Sequence, residues 1–282
     1  MGERVVKFVD PSRTVRIPGG GVQPRTLVTL IRYPAQGRPS ATDVPNAPPL
    51  RTAGRFPLVI FGHGFAVTPT PYAPLLQAWA RAGYVVAAPI FPLENANAPG
   101  GPDENDLVNQ PRDMSFVITQ MLTGNGVRRS FLNQLLDPHA IAVTGQSDGG
   151  ETALAVAYDR YFLDRRAKAA VILSGAKIPG VGGFNFPAPS PPLLATQGTA
   201  DSVNPPSFTH SFYDGAPHPK FLLNMFGADH LGPYTGAQPY TGIVQRVTIA
   251  FMDRYLKSGP RGLQRMRSDG NVARVSALEY HP

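Results

Sequence analysis

The chain has 282 residues, 42% of them hydrophobic and only 16% charged. That profile fits a compact globular protein with ample core for one α/β domain spanning 1–282, and it excludes a disordered chain. The net charge of +7 comes from scattered basic residues, with no basic stripe interleaved with aromatics, so nucleic-acid binding is not expected, and the absence of cysteine excludes disulfides, thiol catalysis and cysteine-ligated zinc.

In chain order, residues 5–9 and 14–17 read as short edge strands and 26–33 alternates as a strand, together forming an N-terminal edge over about 1–33. A proline-rich loop follows over 34–55, long enough to flank a binding site or to be irregular surface. The core of the domain is expected over about 56–256. Its first strand is the apolar run 56–61, followed by a helix at 71–82, a strand at 84–88 and a loop over 89–104. The next helix starts between 106 and 111 and ends near 122, because Pro111 suits a first helical turn better than an interior. Strand 140–144 leads into an alanine-rich helix at 148–161. Strands at 169–173, 193–197 and 221–225 and a terminal helix at 243–256 complete the pattern. The loop 177–192 carries Phe184 and Phe186, and nothing is read from the tail after Arg261. Strands alternating with helices predict an α/β fold, a mostly parallel central sheet with helices on both faces. No long insertion separates the strands near 173 and 193, so no large lid domain is expected.

Gly145-Gln146-Ser147-Asp148-Gly149 is the most informative stretch, a Gly-x-Ser-x-Gly pentapeptide between a buried strand and a helix. A serine hydroxyl is a poor nucleophile unless it is presented to a base. A sharp strand-to-helix turn does the presenting, and flanking glycines let the two elements approach. An acid and then a histidine are expected downstream, each just past the end of a parallel strand, where open α/β sheets bind ligands. Gly198-Thr199-Ala200-Asp201 and Gly227-Ala228-Asp229-His230 occupy those two slots. The expected catalytic set is therefore Ser147, Asp201 and His230, with Asp201 favoured over Asp214 and Asp229 because it directly follows a buried strand. Upstream, Gly62-His63-Gly64-Phe65 follows strand 56–61 and suits the loop that supplies an oxyanion donor. The backbone N–H groups of Phe65 and Asp148 are the expected pair. His63 is expected to organise its loop. The Asp148 and Glu151 side chains read as acids at a helix start, pointing away from the pocket.

These four motifs resemble the serine α/β hydrolases from about Thr26 to about Leu256. The pattern is most similar to the dienelactone-hydrolase-like esterases, the chlorophyllase and platelet-activating-factor acetylhydrolase group, and the cutinase-like lipases. The motifs are specific for the superfamily and weak for any subfamily. Dienelactone hydrolases proper use a cysteine nucleophile, which this chain lacks, and many lipases carry an apolar residue where Asp148 stands. The resemblance implies a carboxylesterase, lipase or cutinase-like enzyme that works through an acyl-enzyme without a cofactor.

For the substrate, Phe65, Phe91, Phe184, Phe186 and Tyr234 fall in loops at the catalytic edge and are expected to line an apolar pocket, although some loop aromatics serve packing alone. The expected partner is an ester with a hydrophobic part, either a lipid, a polyester or a small ester. An amidase or peptidase on the same scaffold and a catalytically dead binding protein are the competing readings. No metal is expected, because Asp229-His230 is the only adjacent histidine–carboxylate pair. No segment reads as membrane-spanning. The protein is expected to be soluble, either cytoplasmic or secreted with its signal peptide removed.

Overall fold

The computed structural model describes residues 1–38, 40–182 and 184–281. The core is six parallel strands: β4 (Phe56–Gly62), β5 (Val85–Ile90), β6 (Leu136–Gln146), β7 (Ala167–Leu173), β8 (Leu193–Gly198) and β9 (Lys220–Met225). The hairpin β1 (Gly2–Ile17) and β2 (Gly21–Tyr33) joins one side antiparallel to β5, and β3 (Val44–Pro45) pairs with β1. On the far side β10 (Ser276–His281) runs antiparallel to β9. The sheet order is β10-β9-β8-β7-β6-β4-β5-β2-β1-β3.

Side chains alternate across the central strands and feed two cores. Leu58 and Ile60 of β4 face the core shared with α2 (Gln110–Gly126) and α3 (Asp148–Tyr158). Val59 and Phe61 face the core of α1 (Ala73–Arg81) and α6 (Tyr240–Leu256), where Trp79 and Phe251 are buried. Helices therefore cover both faces. Among the described residues no helix lies between β7 and β8.

The differences from the sequence reading have local causes. The two expected edge strands are one strand, β1, because Pro11 sits in a register shift between Asp10 and Thr14. Asp10 holds that bulge, accepting from the Ser12 N–H at 3.0 Å and the Arg13 guanidinium at 2.7 Å. The loop over 34–55 contains β3 and a 3₁₀ turn, Arg51–Ala53. Helices α4 (Pro206–Tyr213), α5 (Gly232–Thr235) and α7 (Gly262–Gly270) and strand β10 escaped the reading. Each is short with few buried apolar residues: α4 buries Phe212 and Tyr213, and the only large apolar side chain α7 buries is Met266. Among the described residues no helix is long and apolar enough to cross a membrane.

Candidate functional site

The carboxyl ends of β4, β6, β8 and β9 meet at one edge of the sheet. Each contributes a loop there. The first is the turn between β6 and α3. Ser147 sits in it at φ 56°, ψ −122°, a backbone geometry that non-glycine residues rarely adopt. The approach of strand, helix and neighbouring loop dictates the flanking glycines. A Cβ on Gly145 would lie 2.0 Å from the Gly149 carbonyl oxygen, and one on Gly149 would lie 2.2 Å from that of Gly62.

The three residues expected to act together are brought together. The Ser147 Oγ lies 3.0 Å from His230 Nε2, and His230 Nδ1 lies 2.8 Å from Asp201 Oδ2. Asp201 is fixed from its other oxygen, which accepts the N–H groups of Val203 at 3.0 Å and Asn204 at 2.8 Å. Burial alone would raise the Asp201 carboxyl, but the hydrogen bonds from His230, Asn204 and Val203 outweigh it and hold the group below the ordinary carboxylate range. An ionised Asp201 accepts from Nδ1–H, which leaves the Nε2 lone pair facing the serine hydroxyl. The rival acids lie elsewhere. Asp229 is exposed and accepts the Leu231 and Gly232 N–H groups at the start of α5. Asp214 is exposed beside His210.

Upstream, Gly64 presses against the turn: a Cβ there would lie 2.8 Å from Gln146 Oε1 and 3.0 Å from Ser147 Cβ. This packing brings the Phe65 backbone beside the serine. Among the described residues neither the Phe65 nor the Asp148 N–H donates to a backbone carbonyl. His63 is fully buried, with Nδ1 at 2.8 Å from the Gly64 carbonyl and Nε2 accepting the Phe91 N–H at 3.1 Å. It braces the loop as a neutral ring, and burial pushes it down to about 4. The unfolded chain therefore binds a proton that the folded one refuses between about pH 6.5 and that value. Stability is expected to fall on acidification through this window, by roughly 3 kcal/mol in total. Urea melts of the wild type and of His63→Asn would show it as a steeper acid slope in the wild type.

Of the aromatics expected to line a pocket, Phe65 is 40% exposed at the site. Two others do not face a cleft. Phe91 is fully buried, its ring 4.9 Å from that of His63. Tyr234 is fully buried, its hydroxyl 2.9 Å from Ser174 Oγ and 3.0 Å from Thr196 Oγ1. Phe184 and Phe186 are half-buried against the core, Phe186 on Tyr158 and Phe184 on Phe212. Loop position alone does not show whether an aromatic turns outward or into its own support.

Three neighbours of Ser147, Asp201 and His230 carried no expectation in the sequence. The Gln146 amide donates to the His230 carbonyl at 3.1 Å and approaches His230 Nε2 at 3.1 Å. Tyr72 O–H donates to Gln146 Oε1 at 2.6 Å and accepts the Gly64 N–H at 3.4 Å, so one relay joins the Gly64 loop to the His230 loop. The Asn204 amide donates to the Ser174 carbonyl at 2.9 Å and reaches Ser147 Oγ at 3.4 Å. Gln146 was legible as the residue before the serine. Tyr72 and Asn204 carry no motif.

The acids at the start of α3 depart from expectation. Asp148 is 3% exposed, and its Oδ1 accepts from the Ser147 hydroxyl at 3.3 Å. Glu151 is fully buried, accepting the Ile178 N–H at 2.7 Å, and burial pushes it up to about 7. Neither points to solvent, because α3 is buried along its whole length.

A sequence profile described as chlorophyllase matches residues 37–184. No curated protein sequence matches the chain significantly. Among solved structures, a ferulic acid esterase from Streptomyces cinnamoneus superposes with a TM-score of 0.67 at 21% identity, covering 91% of this chain and 90% of that one. That likeness concerns the fold, whose parallel sheet and two helical layers are those of an α/β hydrolase. The profile spans just over half of the chain and includes the Gly62–Phe65 loop and the Ser147 turn, and on that match the protein belongs to the chlorophyllase family, within the esterase-type α/β hydrolases.

Proposed function

We propose that the protein hydrolyses carboxylic esters with a hydrophobic part through an acyl-enzyme on Ser147. The observation that carries this reading is the unbroken relay from Asp201 through His230 to Ser147, at 2.8 and 3.0 Å. His230 takes the Ser147 proton as the hydroxyl oxygen attacks the ester carbonyl. The N–H groups of Phe65 and Asp148 stabilise the oxyanion, and the Asp148 N–H sits at the positive end of α3. The imidazolium then protonates the leaving alcohol. A water, deprotonated by His230, releases the acid by the same route in reverse.

The likeness to a ferulic acid esterase favours an ester whose acid part is bulky and aromatic. Phe65, the exposed aromatic beside the serine, is the wall such a group would meet. Phe65→Ala keeps the N–H and removes that wall. It is expected to raise KM for long or aromatic acyl groups about tenfold and to change kcat less. Steady-state kinetics over a p-nitrophenyl ester series from short to long chains would test both the activity and this role. Matched amide substrates in the same assay would separate the ester reading from an amidase one.

A further inference from the structure

The Glu94 side chain is fully buried, and its carboxyl faces that of Asp148. Neither Glu94 oxygen, nor Asp148 Oδ2, has an N–H or hydroxyl donor within hydrogen-bond distance among the described residues. The nearby charges do not relieve this. The charges of Asp106 and Glu104 also act on Glu94, and both are acidic. The Arg25 guanidinium is committed to Asp113 at 2.6 Å and Asp106 at 2.7 Å. Lys177 acts on Glu151. His230, across the serine, is the cation that can form near Asp148. Among the described residues no group of acids and histidines is arranged to hold a metal ion.

Two buried carboxyls in contact cannot both ionise, so they hold at least one proton between them. Asp148 is the better seat for the charge. It opens α3, where the helix dipole favours an anion, and it accepts from Ser147. Glu94 has neither support. Burial, and then Asp148, push its carboxyl up to about 11.

Ser147 therefore has two acceptors to choose between: His230 Nε2 at 3.0 Å and Asp148 Oδ1 at 3.3 Å. Only the first is productive. We propose that Glu94 is a positioning residue of this site, a neutral carboxylic acid whose O–H donates to Asp148 and so leaves the Ser147 proton to His230. A carboxylate that already accepts a strong hydrogen bond competes less well for a second. The same residue also braces the oxyanion loop, since the Glu94 carbonyl accepts the Ala66 N–H at 2.9 Å and Ala66 holds a φ of 56°. Glu94 thus meets both the Asp148 carboxyl and the Ala66 backbone from a fully buried position.

This inference rests on Ser147 being the nucleophile, and its test keeps the two apart. The measurement is kcat and KM for one p-nitrophenyl ester at about pH 8, where ordinary carboxyls are ionised. Glu94→Ala is expected to lower kcat about tenfold or more with little change in KM. Glu94→Gln, which keeps a neutral donor of the same length, is expected to recover most of that loss. So is Glu94→Ala combined with Asp148→Asn, because the competing carboxylate is gone while the backbone N–H remains. A space-filling role for Glu94 would not be repaired by Asp148→Asn. Infrared difference spectra of wild type against Glu94→Gln are expected to show the C=O stretch of a protonated carboxylic acid in the wild type alone. Glu94→Gln as damaged as Glu94→Ala, an unrepaired double variant or a missing infrared band would each overturn the proposal. If Glu94→Ala does not fold, Glu94→Gln and its infrared spectrum still decide. Ser147→Ala is run alongside: turnover retained there would sink the nucleophile reading, whereas its loss together with a failed Glu94 pattern would sink this inference alone.

Discussion

Ser147→Ala is expected to lower ester turnover by at least about 10⁴-fold while leaving the fold intact. In the proposed reaction the hydroxyl forms the bond to the ester carbonyl, and the chain has no cysteine to replace it. Its structural role is small. Without it His230 keeps Asp201 and the Gln146 amide, and Asn204 keeps the Ser174 carbonyl. The strained backbone at φ 56° is unchanged, because alanine retains the Cβ. The stability change is therefore expected to stay within about 1 kcal/mol. Denaturant melts and p-nitrophenyl ester kinetics on the purified variant check both halves. Undiminished turnover, with contamination excluded, would refute the nucleophile.

Asp201→Asn has the second largest expected effect, and the structure supplies the reason. Oδ1 of Asp201 accepts two backbone N–H groups, from Val203 and Asn204. An asparagine there keeps its oxygen toward those donors and turns its NH₂ toward His230 Nδ1. That nitrogen must then be an acceptor, so the ring proton moves to Nε2, which can no longer take the serine proton. A loss of about 10⁴ in kcat is expected, the size seen when a triad acid is neutralised in this way. Asp229→Asn and Asp214→Asn are expected to stay within about threefold of the wild type, since both acids are exposed surface groups. A large loss in Asp229→Asn without one in Asp201→Asn would reassign the acid.

The elements that set the site were the legible ones. The apolar runs of β4, β6, β8 and β9 end in glycine-bearing loops, and these carry the residues that meet. Buried parallel strands announce themselves as continuous hydrophobic stretches. The elements that were missed, α4, α5, α7 and β10, are short and half-exposed, and their pattern is too brief to read. The polar groups around Ser147, Asp201 and His230 were less legible for another reason. Gln146, Tyr72, Asn204 and Glu94 owe their roles to contacts between loops far apart in sequence: Tyr72 meets Gln146 across 74 residues. Asp148 shows the same limit. Its position at a helix start was plain, but the burial that turns its carboxylate onto Ser147 and Glu94 comes from the layers packed over α3.

Ser147 is the proposed seat of the covalent intermediate. Its most direct test is mass spectrometry of the protein after reaction with a fluorophosphonate. One adduct per chain is expected, mapped to Ser147 within Gly145–Gly149 and absent from Ser147→Ala. It should also be slowed strongly in Asp201→Asn. An unlabelled wild type that hydrolyses esters, or an adduct that persists on another residue in Ser147→Ala, would contradict the assignment of Ser147 as the nucleophile.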